Sequence, residues 1–310
     1  MIMRVFVAGG SGVLGLLLVS QLVARGHQVT TTTTSEAKLG LLAELGAQGL
    51  VMDGLDAMSV GEVVATARPD VIVHQMSAFS MTHVGKPDMK HLDRWFTQTN
   101  RLRTEGTDHL LAAAEATGVS HVVAQSHASW NGIRQGGWVK TEEDPLDPEE
   151  DTVARAGAAA IRHVEEVVVK AGGAALRYGG LYGHGAIDDQ VELIRKRQFP
   201  LVGGCTGYSA WGGRRGECHG PGGGAEGQRG VRHRGRRTGP AVEWLPYLAE
   251  CVGAKRPKRV PTWLARLLAG QVPVTMMTEG RGLSNAKAKR ELGWQLHYPS
   301  WRQGFTEGLA

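Results

Sequence analysis

The sequence is poor in the features on which secreted, metal-binding and membrane-spanning proteins depend. Three cysteines in 310 residues, Cys205, Cys218 and Cys251, make neither an even disulfide framework nor a metal-ligand spacing. No metal site is therefore expected, and the expected setting is reducing and cytoplasmic. No apolar run approaches the roughly 20 residues of a membrane span, so no membrane partner is expected. Residues Met1 to Leu22 are apolar enough to resemble a leader. Gly9, Gly10, Gly12 and Gly15 interrupt the run, however, and no small-residue cleavage site follows it, which argues against a secretory signal. There is no internal repeat, which excludes solenoid and propeller architectures.

The net charge of +5 would suit a nucleic-acid partner if it were spread along a face. It is not. Between Cys205 and Pro240 seven arginines stand against two glutamates, which accounts for the whole excess. The rest of the chain is neutral, and no nucleic-acid partner is expected of it. With 42% hydrophobic residues, the length suits one large α/β unit or two closely packed lobes.

What is present is a regular alternation. Apolar runs at Arg4–Ala8, Gln28–Thr33, Gly49–Met52, Val71–Gln75, Val122–Gln125 and Ala174–Tyr178 read as buried parallel strands. Helical patterns lie between them at Val13–Arg25, Ser35–Leu45, Met58–Ala67, about 92–117 and Asp151–Ala171, with further helices at Val242–Val252 and Asn285–Leu292. Strands alternating with helices predict an α/β fold, a doubly wound parallel Rossmann sheet. Residues 1–180 form that domain in this reading, and residues 181–310 form a smaller C-terminal substrate lobe.

The most specific signal is Gly9-Gly10-Ser11-Gly12-Val13-Leu14-Gly15, placed directly after the first strand and opening the first helix. A strand that turns sharply into a helix while its backbone approaches a diphosphate needs glycines at this spacing, and the helix N-terminus offers the phosphates its amides and positive dipole end. The spacing predicts a dinucleotide site. At the tip of the second strand, where a carboxylate would grip the ribose hydroxyls, the chain has Thr34 and Ser35 with Lys38 nearby. These tolerate a 2′-phosphate better than an Asp would, so the expected cofactor is NADP or NAD, with NADP favoured; the threonines are equally readable as simple strand formers. Asp53 and Gly54 after the third strand, Gln75, Met76 and Ser77 after the fourth, Asn100, and Ser126 after the fifth complete the expected cofactor contacts, since all lie at or near strand C-termini.

Taken together, these motifs resemble the extended short-chain dehydrogenase/reductase family, the NAD-dependent epimerase/dehydratase group. The resemblance is carried by the glycine loop, Pro69-Asp-Val-Ile-Val-His74, Asn100 with Gly106-Thr107, Leu176-Arg177-Tyr178-Gly-Gly-Leu-Tyr182-Gly183, and Ser284-Asn285-Ala-Lys287 through Leu292-Gly293-Trp294. It covers residues 1–204 and 241–310. It implies an NAD(P)-dependent oxidoreductase, epimerase or dehydratase acting on a small polar molecule such as a nucleotide sugar or secondary metabolite. It also implies a homodimer built on the helices at 92–117 and 152–170. The family's Ser falls on His127, beside Ser126, and its Tyr-Lys pair falls in Gly157–Arg162, which contains neither residue. Candidate proton donors are then His127, Ser126, Tyr178 and Tyr182, of which His127 titrates nearest neutrality. The missing pair also supports a second reading, a non-catalytic dinucleotide-binding sensor or regulatory protein.

Residues 205–240 break the pattern. Rich in Gly and Arg and nearly free of aliphatic residues, the segment cannot bury a core face and is expected to be irregular. An Arg/Gly-rich RNA-binding insert is one account. A shifted reading frame is the other. Read one base later, codons for Val231 through Pro240 permit Tyr-Asp-Ile-Val-Asp-Asp-Glu-Pro-Ala-Pro, which resembles the family's strand at this place. Resequencing the gene decides between them: an intact frame encoding these same arginines excludes the shift.

Overall fold

The first strand, β1 (Arg4–Ala8), and the fourth, β4 (Val71–His74), are buried over nearly their whole length, as strands covered by helices on both faces must be. Their alternating side chains therefore feed two cores. Phe6 and Ile72 pack with Val60, Val64, Leu110 and Ala114 on one face, while Val5, Val7 and Val73 pack with Leu18, Leu22 and Trp294 on the other. Burial of each large side chain contributes about 1.5–3 kcal/mol. The remaining long strands are β2 (Gln28–Thr33), β3 (Gln48–Val51), β5 (His121–His127) and β6 (Ala174–Tyr178). With a two-residue strand β7 (Val231–Arg232) they form one sheet in the order β7-β6-β5-β4-β1-β2-β3, every neighbouring pair parallel. The order reverses between β1 and β4, the place where doubly wound sheets open a ligand crevice. This computed structural model describes residues 1–79, 92–127, 137–144, 152–183, 185–203, 208–209, 211–214, 231–232, 239–295, 298 and 300–309.

Helices α1 (Val13–Ala24), α2 (Leu39–Glu44), α3 (Ala57–Ala67), α4 (Leu92–Arg103), α5 (Glu105–Thr117) and α6 (Thr152–Lys170) serve the sheet. Asp56 starts α3 by accepting from the amides of Met58 and Ser59, and Gly118 closes α5 in the left-handed conformation. The single helix expected at 92–117 is two helices meeting at Thr104. There the Thr104 hydroxyl donates to the Asn100 carbonyl at 3.1 Å and the Thr107 hydroxyl to the Arg103 carbonyl at 2.6 Å. Side-chain hydroxyls that tap the preceding turn bend helices in this way. The helix expected at 35–45 is a 3-10 turn, Glu36–Lys38, followed by α2.

A further core gathers Tyr182, Ile187, Ile194, Leu201, Trp244, Leu245, Leu248, Trp301 and Phe305, all from the C-terminal part of the chain. Of residues 205–240, only short strand pieces at 208–209, 211–214, 231–232 and 239–240 are described. The rest of that segment, on which the expected irregularity falls, lies outside the described residues.

Candidate cofactor and active site

The turn from β1 into α1 is held by backbone and threonine hydroxyls. Gly9 has φ +87°, and a Cβ there would stand 2.9 Å from the Gln75 carbonyl and the Met76 amide; a Cβ on Gly15 would stand 2.4 Å from the Gly9 carbonyl. These two positions must be glycine for loop, strand and helix to close on one another. The Gly9 amide donates to Thr32 Oγ1 at 2.9 Å, and Ser11 Oγ to Thr33 Oγ1 at 3.0 Å. Thr31, Thr32 and Thr33 are buried, so the threonine run clasps the glycine loop as well as forming strand. Sequence reasoning missed that role, because the pairs are 22 and 23 residues apart.

Gly12 is the N-cap of α1, with no side-chain cap and no acidic residue in the first turn. The positive end of the helix is thus left for an anion. Val13 is exposed and Leu14 half-buried in that turn. Gly10 lies against Thr31. Thr34 is exposed, with half-buried Ser35 and Lys38 after it. Asp53 is exposed beyond β3, one carboxylate oxygen accepting from the Leu55 amide at 2.9 Å, while Gly54 is buried against Met76.

At the tip of β4, Gln75 and Met76 are buried and Ser77 exposed. Gln75 Nε2 donates to the Tyr178 hydroxyl at 3.1 Å, and Gln75 Oε1 has no hydrogen-bond partner. A buried acceptor left unmatched at the sheet's switch point fits a ligand that brings a donor. With the bare helix start at Gly12, it makes this set of residues a fit for a dinucleotide.

Ser126 lies on the opposite face of the sheet from His127 and Tyr178. In the β5/β6 register Ser126 pairs with Arg177 and His127 with Tyr178, and successive strand residues point to opposite faces. Ser126 Oγ donates to Glu165 Oε1 at 2.6 Å. Glu165 on α6 also binds the Arg177 guanidinium through two hydrogen bonds, a pair mostly shielded from water. Tyr178 is buried in the core shared with Val5, Val7 and Trp294, and Tyr182 is buried in the C-terminal core. His127 is half-buried. Desolvation, followed by the positive charge of Arg103, lowers its pKa to about 3. His74 is lowered to about 4, first by burial and further by Arg103. Its Nδ1 accepts from the Met76 amide, and its Nε2 lies 3.1 Å from the Thr107 hydroxyl. Because that hydroxyl donates to the Arg103 carbonyl, Nε2 carries the proton of a neutral ring.

Arg103 itself was not among the expected site residues. It is 7% exposed, donates to Asn100 Oδ1 at 3.4 Å, and lies 5.3 Å from the centroid of the Phe79 ring. Asn100 is half-buried and faces α6, where a Cβ on Gly157 would meet its Oδ1 at 3.9 Å. Of the stretch in which the family's Tyr-Lys pair would fall, Ala158, Ala160 and Ile161 are buried.

A glycine loop at a bare helix start, beside the switch point of a parallel sheet ordered 3-2-1-4-5-6, defines a nicotinamide dinucleotide-binding Rossmann protein. The comparisons with known proteins agree. Residues 9–175 match the NAD(P)H-binding family model. The 3-diazoavenalumate denitrifying reductase of a Streptomyces species is 36% identical over 319 aligned positions, spanning 97% of this chain and 99% of the relative. Among solved structures, the UDP-glucose 4-epimerase of Thermotoga maritima with UDP-glucose has a TM-score of 0.71 at 17% identity, covering 98% of this chain and 96% of that one. The UDP-glucose 4-epimerase of Thermus thermophilus with NAD has a TM-score of 0.68 at 18% identity, covering 98% and 97%. This chain belongs to the NAD(P)H-binding family, and its fold is that of the nucleotide-sugar epimerases.

Proposed function

We propose that this protein is an NADPH-dependent denitrifying reductase that replaces the diazo group of an aromatic substrate by hydrogen. Two observations support the reading: the chain lacks the Tyr-Lys pair in Gly157–Arg162, and it matches a denitrifying reductase over 97% of its length. Reducing a carbonyl makes an alkoxide that must be protonated, hence the usual Tyr and Lys. Reducing an arenediazonium makes no such anion. Reduced nicotinamide, when bound, would supply the hydride, so that Ar–N₂⁺ + NADPH would give Ar–H + N₂ + NADP⁺, the electron pair of the broken C–N bond leaving with dinitrogen and no proton being consumed.

The chain's own residues then have binding and orienting work only. Gly9 to Gly15 hold the diphosphate, with Gly10, Ser11, Val13 and Leu14 framing it. Thr34, Ser35 and Lys38, with no carboxylate among them, favour a 2′-phosphate. Asp53, Gly54, Met76 and Ser77 would border the adenosine, and Gln75 Oε1 would accept a hydrogen bond from the cofactor. His127 and His74 are neutral at pH 7 and stay so down to about 4, so neither is an imidazolium acid there. Ser126 is committed to Glu165, and Tyr178 to Gln75. Residues 181–310 supply the substrate lobe. Exposed Ala156 and Ala159 on α6 leave room for a second copy in a cytoplasmic homodimer. No helix among the described residues is long and apolar enough to cross a membrane.

The test uses NADPH deuterated at C4, with 3-diazo-4-hydroxycinnamate as acceptor. One dinitrogen per NADPH oxidised is expected, with deuterium on the ring carbon from the cofactor and none from D₂O. The rate should show no histidine limb between about pH 5.5 and 8.5, since both rings are already neutral there. Label from solvent, or no NADPH oxidation with this acceptor, would end the reading.

A further inference from the structure

We propose that Arg103 is the substrate's anion-recognition residue and that the group it takes is an aromatic carboxylate. The assignment rests on the reductase reading only for the identity of the reacting group; the anion site stands on its own geometry. Two arginines are buried beside β5. Arg177 meets Glu165 through a bidentate pair. Arg103 has no such partner: among the described residues no carboxylate oxygen lies within 4.0 Å of it, and the one hydrogen bond of its guanidinium is the 3.4 Å contact to Asn100. Desolvation lowers it to about 10, so it is still a cation at neutral pH. Burying a cation without a counter-charge costs several kcal/mol. A planar fork with five N–H donors, nearly all unused, matches a carboxylate in bidentate geometry.

The surroundings specify the rest of the ligand. Phe79, Trp95 and Phe96 lie against one another with ring centroids 5.1–5.7 Å apart, and the guanidinium sits over Phe79. Phe79 is half-buried, and an aromatic face of this kind stacks well on an incoming ring. The positive field of Arg103 reaches His74 and His127 at the tips of β4 and β5. The same field draws the anionic end of a dipolar substrate to Arg103 and turns a diazonium end away from it. Charge sign thus orients the substrate without a proton-transfer group.

The experiment measures binding, not turnover. The full-length protein saturated with NADP⁺ is titrated calorimetrically with 4-hydroxycinnamate, with its primary amide, and with UDP. The wild type is expected to bind the carboxylate about tenfold or more tightly than the amide, the scale of a charge-assisted bidentate pair. Arg103→Met should erase that preference and leave amide and NADP⁺ affinities unchanged. Arg103→Lys should weaken the carboxylate severalfold and spare the amide, and it decides the matter if the methionine variant does not fold. Equal affinity of wild type for carboxylate and amide, no binding of either, a preference that survives in Arg103→Met, or unchanged carboxylate affinity in Arg103→Lys overturns the anion site. Tighter binding of UDP than of 4-hydroxycinnamate overturns the aromatic assignment. Carboxylate preference without diazonium reduction sinks only the reductase reading.

Discussion

Gly12→Leu is expected to lower NADPH affinity by about a hundredfold or more, roughly 2.7 kcal/mol, while the protein stays folded. Gly12 has an ordinary extended backbone, φ −79° and ψ 172°, and a Cβ there would meet only the Gly9 carbonyl, at 3.3 Å. The fold therefore tolerates a side chain, apart from a loss of roughly 1 kcal/mol because leucine is a poor N-cap. The diphosphate does not tolerate it, because the leucine would occupy the space in front of the first-turn amides. Gly15→Val should behave differently. Its Cβ would lie 2.4 Å from the Gly9 carbonyl oxygen and 2.5 Å from Gly10 Cα. Both are backbone atoms that cannot swing aside, so the turn itself must open and stability falls together with binding. Fluorescence titration with NADPH and a thermal melt on each variant separate the two effects. Undiminished NADPH affinity in Gly12→Leu would remove the diphosphate from this loop.

The second large effect is expected at Glu165. Glu165→Ala leaves Arg177, whose side chain is 7% exposed, as a buried cation without its partner, and also strands the Ser126 hydroxyl. A loss of about 3–5 kcal/mol is expected from breaking a buried pair on one side, read as the change in denaturation free energy. Replacing both partners, Glu165→Leu with Arg177→Met, should recover most of it, because the cost lies in the uncompensated charge and not in the missing bond. If the single variant is as stable as the wild type, or the double variant is worse than the single, the pair is not what ties α6 to β5 and β6. Removing Glu165 breaks a buried bidentate pair, whereas Arg103 has no carboxylate partner among the described residues.

Much of this was legible in the sequence for reasons of locality. The strands at 4–8, 28–33 and 174–178 were readable to the residue, because a run of apolar residues bounded by turn formers has few other places to go in a sheet covered on both faces. The bend at Thr104 was less visible, since the hydroxyls that cause it compete with a helix the pattern otherwise supports. Among the site residues, the glycine loop announced itself through its spacing. The lack of tyrosine and lysine in Gly157–Arg162 was equally plain. Arg103 was passed over because nothing in Asn100-Arg-Leu-Arg103 distinguishes its second arginine, now buried, from the first. Arg101 is exposed and pairs with Glu105 four residues on.

The sequence by itself therefore determined the parallel sheet, the dinucleotide loop and the missing Tyr-Lys pair, all of which follow from short-range spacing. The tertiary structure alone decided which polar groups are matched. It brought Thr32 and Thr33 onto the glycine loop, gave Arg177 a carboxylate and, among the described residues, Arg103 none, and lowered the pKa of His74 and His127. Those outcomes depend on burial and on distances between elements tens of residues apart, and a charge has no fixed worth until its solvent and its neighbours are known.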